Sequence, residues 1–530
     1  MADLVIRGTT VVDGTGRPGR VADVAVTGGV IEAVGGPSPT GRRVIDATGL
    51  VLSPGFVDMH AHSDLSLLTD PAHAAKTAQG VTCEVLGQDG LSYAPVDDVT
   101  LPQVRQAVAG WNGDPPGFDW NWRDVAGYLD RLDAGTAVNA CYLVPQGTVR
   151  MLAMGWADRP PTRAELDRQR ALVATGMSEG AVGMSSGLTY APGMYAGTEE
   201  LVELCRVVAG FGGLYVPHHR SYGAGAIAAY AEMTEVARRS GCRLHLAHAT
   251  LNFPVNAGRA PELIALLDAA AAAGVDLSLD SYPYLPGATA LAALLPGWAA
   301  DGGPARTLRR LRDPAARERI RDALEVRGSD GSHGVPVAWD TVRVSGARDP
   351  AAVGRTVAEL AAASGRSPFE VFCARLVEDE LSTTILHFVG NEENVRAIMR
   401  HRAHTGGSDG LLGQARPHPR ARGTFPRYLG RYVRELGVLG LEECVAHLTG
   451  RPARRLRLAR RGFVGPGCHA DLVLFDPRTV RDTATFDEPF GRPEGIPHVL
   501  VGGVPVVRDG RHTGALPGRA LRRGPDGAVR

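Results

Sequence analysis

The segment Pro54-Gly55-Phe56-Val57-Asp58-Met59-His60-Ala61-His62 ends an apolar run in a His-x-His pair. Residues i and i+2 of a strand project to the same side, so His60 and His62 can point together, and neutral imidazoles suit zinc. Alone the pair is weak evidence, because core and surface histidines explain many such spacings. Three more residues sharpen it. His218 closes Leu214-Tyr215-Val216-Pro217, His248 closes Leu244-His245-Leu246-Ala247, and Asp409 closes Thr405-Gly406-Gly407-Ser408. His245 lies three residues before His248, faces the opposite side and reads as structural.

Residues so far apart in the chain must be gathered by a repeating scaffold. The region 53–450 alternates apolar runs with helical stretches. Gly80–Leu86, Ala140–Val144, Gly180–Met184, Leu214–His218, Arg243–His248, Asp276–Asp280, Thr383–Val389 and His404–Asp409 are candidate strands. Thr162–Met177, Glu199–Phe211, Gly225–Ser240 and Pro261–Gly274 are candidate helices between them. Such alternation implies a parallel sheet with crossover helices. The number of strands favours an α/β fold of the (β/α)8 TIM-like barrel type, whose C-terminal strand ends converge on one face. No GxGxxG follows the first strand, which weakens a dinucleotide-binding reading.

The barrel is assigned to residues 53–454. Residues 286–382 exceed what one βα unit needs and predict an inserted subdomain over the site. Short strands at both ends, such as Val21–Val26 and Asp471–Asp476, predict one small β-sandwich built from 1–52 and 455–518. The basic, glycine-containing tail 519–530 is expected to be disordered.

Lys+Arg and Asp+Glu are both 57, so the 530-residue chain has no net charge with which to attract nucleic acid or an anionic membrane. Its seven cysteines are scattered and form no CxxC pair, which argues against a disulfide framework or a structural zinc ribbon. There is no signal-peptide pattern, and no apolar run of the ~18 residues a membrane span needs. A cytoplasmic enzyme with a small-molecule substrate, as a monomer or small homo-oligomer, is the expectation.

The motifs PGFVDMHAHSD (54–64), QGVTCEVLGQDGLSYAP (79–95), GMSSGLTYAPGMYA (183–196), YVPHHR (215–220), LAHAT (246–250), DSYPY (280–284), GGSDG (406–410) and HPRARGTFPRYLGRYVRE (418–435) span nearly the whole chain. Together they resemble the amidohydrolase superfamily, and within it the D-aminoacylase (N-acyl-D-amino-acid deacylase) family. The resemblance implies zinc-dependent hydrolysis of a linear amide by metal-activated water, with one tight zinc and room for a second. It implies His60, His62 and Asp409 as ligands of one metal position, and His218 and His248 as ligands of the other. It makes Asp409 the catalytic carboxylate, and places Tyr190, Arg220, Tyr282 and Arg420 at the substrate, Arg420 on its carboxylate.

The chain departs from the family pattern at three positions. Asp89, in the turn Gly87-Gln88-Asp89-Gly90, stands where the family has a metal-binding Cys. A carboxylate can ligate zinc and bridge two metals, so Asp89 is expected to be a ligand, with Cys83 and Glu84 as fallbacks. Thr250 and Ala288 replace a family Lys and Ser, removing polar contacts to the substrate. Two other functions compete. A cyclic-amide hydrolase of the hydantoinase or dihydropyrimidinase type would commonly need a carboxylated Lys at a strand end, and no strand offers one, Lys76 falling before the second strand. A catalytically inactive binding barrel would need a broken metal set.

Overall fold

The computed structural model describes residues 1–36 and 40–530. Eight parallel strands follow one another around a barrel: Phe56–Asp58, Val81–Leu86, Asn139–Pro145, Gly183–Gly187, Leu214–His218, Arg243–Leu246, Leu277–Ser281 and His404–Gly406. The ring closes just beyond the first and eighth strands, where Met59 N donates to Gly406 O at 3.2 Å and Asp409 N to His60 O at 2.8 Å. The two-residue period of a strand sends Val57 and Met59, Cys83 and Val85, Cys141 and Leu143, and Leu214 and Val216 into one buried interior cluster. The barrel is a packed core with a polar mouth.

Helices cover the outside. Arg163–Ser178 begins at a capping box, with Thr162 accepting from Glu165 N and Glu165 reaching back to Thr162 N. It buries Gln169, Val173, Gly176 and Met177, a spacing of three and four residues that makes one inward stripe.

Strands from both chain ends share one nine-stranded sheet among the described residues. Ala2–Val11 pairs with Gly41–Asp46 along its first half and with Val51–Pro54 along its second, and Leu472–Phe475 continues the sheet beyond Val51–Pro54. The sheet curls over its own core, in which Leu4, Ile6, Val24, Leu52, Leu472 and Leu500 meet, giving the sandwich.

Two expectations need correction. Thr384–His387 is not a barrel strand. It runs antiparallel between Gly287–Ala290 and Val342–Gly346 in a separate three-stranded sheet of the inserted subdomain. A fully buried run of four residues carries no periodicity that tells a barrel strand from any other buried strand. The tail is not disordered either. Leu521 N donates to Ala140 O at 2.7 Å, Arg523 N to Gly180 O at 3.0 Å, and Leu521 and Val529 are buried in the interior cluster. Residues 519–530 form the floor of the barrel, opposite the mouth, and two apolar side chains in a basic segment anchor them.

Candidate metal centre and active site

His60 and His62 follow the first barrel strand, Asp89 the second, His248 the sixth and Asp409 the eighth, while His218 ends the fifth. All six side chains are buried and turn into the mouth. His60 Nε2 lies 3.3 Å from His62 Nε2, and Asp409 Oδ1 lies 3.2 Å from His62 Nε2 and 3.7 Å from His60 Nε2. His218 Nδ1 lies 3.0 Å from His248 Nε2. Asp89 stands between the two groups. Its Oδ1 is 3.5 Å from His60 Nε2 and 3.5 Å from His248 Nε2; its Oδ2 is 3.5 Å from His62 Nε2 and 3.4 Å from His218 Nδ1. Four-coordinate zinc with bonds of about 2.0 Å separates its ligand atoms by roughly 3.3 Å along each tetrahedral edge. The donors therefore form two coordination groups, His60/His62/Asp89/Asp409 and Asp89/His218/His248, which share one carboxylate.

Four features of the residues themselves fit a cation there. Asp89 Oδ1 is buried without a hydrogen-bond partner. Burial alone would raise the Asp409 carboxyl; Arg420, with His62, His60 and His248, outweighs it and holds the group well below the usual carboxylate range. Burial likewise opposes ionisation of Asp89, and the four surrounding imidazoles reverse the effect. Against burial, the Asp409 and Asp89 carboxylates push His62 up to about 10. The cluster is thus negative enough to hold a proton where a metal ion would balance it. The donor set is compatible with one or two zinc ions.

Local backbone places these groups. Asp89, His248 and Asp409 have left-handed φ values of 54°, 30° and 48°, a conformation costly for non-glycine residues and concentrated at functional sites. The Asp89 turn is flanked by Gly87 and Gly90, at φ 75° and 71°; a Cβ on Gly87 would come within 2.3 Å of Leu143 O, and one on Gly90 within 2.6 Å of Gly187 N. Only glycine lets this turn lie so close to the third and fourth strands.

Partners that sequence reasoning missed orient the imidazoles of the cluster. With Nδ1 turned to the cluster, His218 is left with Nε2–H, which donates to Thr189 Oγ1 at 2.7 Å. His248 presents Nε2 and meets Tyr222 OH through Nδ1 at 3.1 Å. Such outer contacts fix the tautomer and ring plane of a ligand. Asp280 accepts from His248 N at 3.0 Å and lies 3.0 Å from His245 Nε2. His245 is held between Asp280 and Ser278, away from the cluster.

The fallback ligands are elsewhere. Cys83 is part of the barrel interior. Glu84 lies against Lys76 Nζ at 2.8 Å and His73 Nε2 at 2.9 Å. Lys76 is fully buried, bonded also to Asp58 at 2.6 Å and Ser408 at 2.8 Å, and so cannot serve as a carboxylated bridge.

The metal centre floors a cleft of about 760 Å³. Tyr190 lines it, its ring 4.8 Å from His218 and its hydroxyl 2.9 Å from Thr289 Oγ1. Tyr282 also lines it and lies under the Arg420 guanidinium at 4.3 Å. Arg420 is buried, pairs through one terminal nitrogen with Asp409 Oδ2 at 2.8 Å, and leaves Nε and the other terminal nitrogen without partners. Arg220, expected at the substrate, is not among the described residues lining the cleft. Its guanidinium is committed to Glu232 at 2.8 Å and to the carbonyls of Met194 and Ala196. It ties down the 194–196 loop, with a bond from each of its three nitrogens.

A profile described as the amidohydrolase family matches residues 43–507. A D-aminoacylase from Alcaligenes xylosoxydans xylosoxydans is 36% identical over 98% of both chains. The chain belongs to the amidohydrolase family, in its D-aminoacylase branch. An N-acyl-D-glutamate deacylase from the same organism is 38% identical, over 98% of this chain and 96% of its own length. Among solved structures, the N-acyl-D-glutamate deacylase of Bordetella bronchiseptica, complexed with zinc and a phosphonate mimic of the tetrahedral intermediate, superposes with a TM-score of 0.84 at 35% identity, covering 98% of this chain and 99% of that one. No helix among the described residues of this amidohydrolase is long and apolar enough to cross a membrane.

Proposed function

We propose that this amidohydrolase cleaves the amide bond of N-acyl-D-amino acids or closely related modified amino acids, releasing a carboxylate and a free amine. The observation that carries the reading is the pair of donor groups sharing Asp89, with Asp409 reaching both the cluster and Arg420. Similarity to a zinc-containing D-amino-acid deacylase supports zinc as the ion and a linear amide as the bond.

His60, His62 and Asp409 would hold one zinc, His218 and His248 the other, and Asp89 both. Bound zinc supplies a Lewis acid for the carbonyl and acidifies water from a pKa of 15.7 to about 7. The remaining work falls to the chain. Asp409 Oδ1, on the cluster side, accepts the proton of the attacking water and returns it to the departing nitrogen, one carboxyl serving as base and then acid. Arg420, steadied by Tyr282, keeps Asp409 ionised and offers its two free donors to the substrate carboxylate. Tyr190 packs the scissile group against His218. The free, scattered cysteines support a cytoplasmic setting.

The test is to incubate zinc-loaded protein with N-acetyl and N-formyl D- and L-amino acids and with cyclic amides, assaying free amine. Chelator-sensitive release from D-configured linear amides is expected. Turnover of cyclic amides alone, or turnover indifferent to chelator, would overturn the reading.

A further inference from the structure

The relatives include both a D-aminoacylase and an N-acyl-D-glutamate deacylase at near-equal identity, so similarity does not choose the substrate side chain. The wall of the cleft does. A run of rings leads outward from the ligand His248 through Tyr222, His333 and Phe253 to His387, with successive centroids 5.3, 5.6, 5.8 and 5.4 Å apart. Asn252 lines the same wall; its Oδ1 accepts from Thr250 Oγ1 at 2.8 Å, which leaves its amide N–H groups to the cleft. His333 Nδ1 is buried without a partner.

Among the described residues lining this cleft, none is lysine or arginine, and the carboxylates present are Asp89 and Asp409. The adjoining chamber of about 780 Å³, which shares Trp111, Thr189, Tyr190 and Ala293 with the cleft, has no charged residue among its described lining. Arg420 already answers Asp409 and, on the proposed function, the substrate's α-carboxylate. We propose that the Asn252–Phe253–His333–His387 wall is the side-chain subsite, and that it selects N-acyl amino acids with uncharged, hydrogen-bonding or aromatic side chains over those with acidic ones. This rests on the deacylase reading above.

The physical basis is charge burial. An acidic side chain would be buried against a wall that carries no lysine or arginine to pair it, while Asp89, Asp409 and the substrate's α-carboxylate already engage the cations of the site, and unpaired buried charge is strongly disfavoured. A neutral imidazole offers one donor and one acceptor, and burial holds His333 at about 3 and His387 at about 4, so neither ring supplies positive charge near neutral pH. Glutamine or asparagine side chains can exchange hydrogen bonds with the same wall at no charge cost, and aromatic ones can stack on Phe253.

The experiment compares isosteric pairs on the zinc-loaded enzyme: N-acetyl-D-glutamine with N-acetyl-D-glutamate, and N-acetyl-D-asparagine with N-acetyl-D-aspartate. We expect kcat/KM to favour each amide by about 100-fold or more. His387→Arg, and separately His333→Arg, should narrow the glutamine-to-glutamate ratio by about tenfold through a gain on the acid, whereas His387→Gln should preserve the ratio. An acid cleaved as well as its amide, or a ratio unmoved by both arginine variants, would overturn the assignment. Absence of turnover on both members of every pair has a different signature: it would overturn the deacylase reading, and this inference with it.

Discussion

Replacing Asp89 with Asn removes one negative charge from a position shared by both donor groups while keeping size and backbone. The choice follows from the geometry. Asp89 has φ 54°, which Asn tolerates, whereas a residue such as Ala pays about 1–2 kcal/mol there. Structural zinc binding contributes about 10–16 kcal/mol over four donors, or roughly 2.5–4 kcal/mol for each. Losing one full donor therefore weakens binding by ~10²–10³-fold, since each factor of ten is about 1.4 kcal/mol. The amide oxygen of Asn remains a weak ligand, which puts Asp89→Asn near the lower end and Asp89→Ala near the upper. Asp89→Cys restores an ionisable donor and should retain zinc. The assay is zinc stoichiometry and affinity against a buffered chelator, with urea unfolding of the metal-free proteins as the control for fold. Unchanged affinity and stoichiometry in a folded Asp89→Asn protein would show that Asp89 shapes the turn and binds no metal.

Asp409→Asn should keep the fold and much of the zinc while turnover falls by ~10²–10⁴-fold, the usual contribution of a general acid–base group; near-normal kcat would remove Asp409 from that role. Arg420→Ala should raise KM for carboxylate-bearing substrates more than for neutral amides, and equal losses on both would make Arg420 structural. Lys76→Met strands Asp58 and Glu84 in the core and should cost about 3–5 kcal/mol in urea unfolding. Burial disfavours the Glu84 anion, but Lys76 and His73 more than compensate and lower its pKa from 4.5 to about 2. Its stabilisation is therefore complete above about pH 4.5 and lost as pH falls towards 2; the unfolding free energy should fall through that window, and less so in Lys76→Met. Deleting 519–530 removes the buried Leu521 and Val529 from the interior cluster and should destabilise by roughly 3–6 kcal/mol, at about 1.5–3 kcal/mol for each buried side chain; an unchanged urea midpoint would deny the tail its place as the barrel floor.

The donor cluster was legible because barrel geometry converts a sequence feature, the residue closing an apolar run, into a place. His60, His62, His218, His248 and Asp409 needed no more than that rule. Asp89 needed the turn and the family pattern as well, for a carboxylate between glycines is otherwise an ordinary turn residue. The partners of these side chains were not legible. Thr189 and Tyr222 meet His218 and His248 from loops 29 and 26 residues away in the chain, and no periodicity reports such meetings. Arg220 is the converse case: an arginine two residues from His218 in the sequence looks free to face the cleft, and Glu232 with two carbonyls holds its guanidinium elsewhere. Thr384–His387 has the composition of a barrel strand and differs only in which strands it pairs with, a tertiary property. The tail looked disordered because its arginines dominate its composition, while Leu521 and Val529 decide its fate.

Diffraction from zinc-soaked crystals above and below the zinc absorption edge tests the central claim most directly. The account predicts anomalous density among His60, His62, His218, His248 and Asp409, with Asp89 oxygen bonded at about 2.0–2.2 Å in every occupied position. Zinc bound with both Asp89 oxygens more than ~4 Å away, well beyond any zinc–carboxylate bond, or no zinc in the mouth at all, would contradict it.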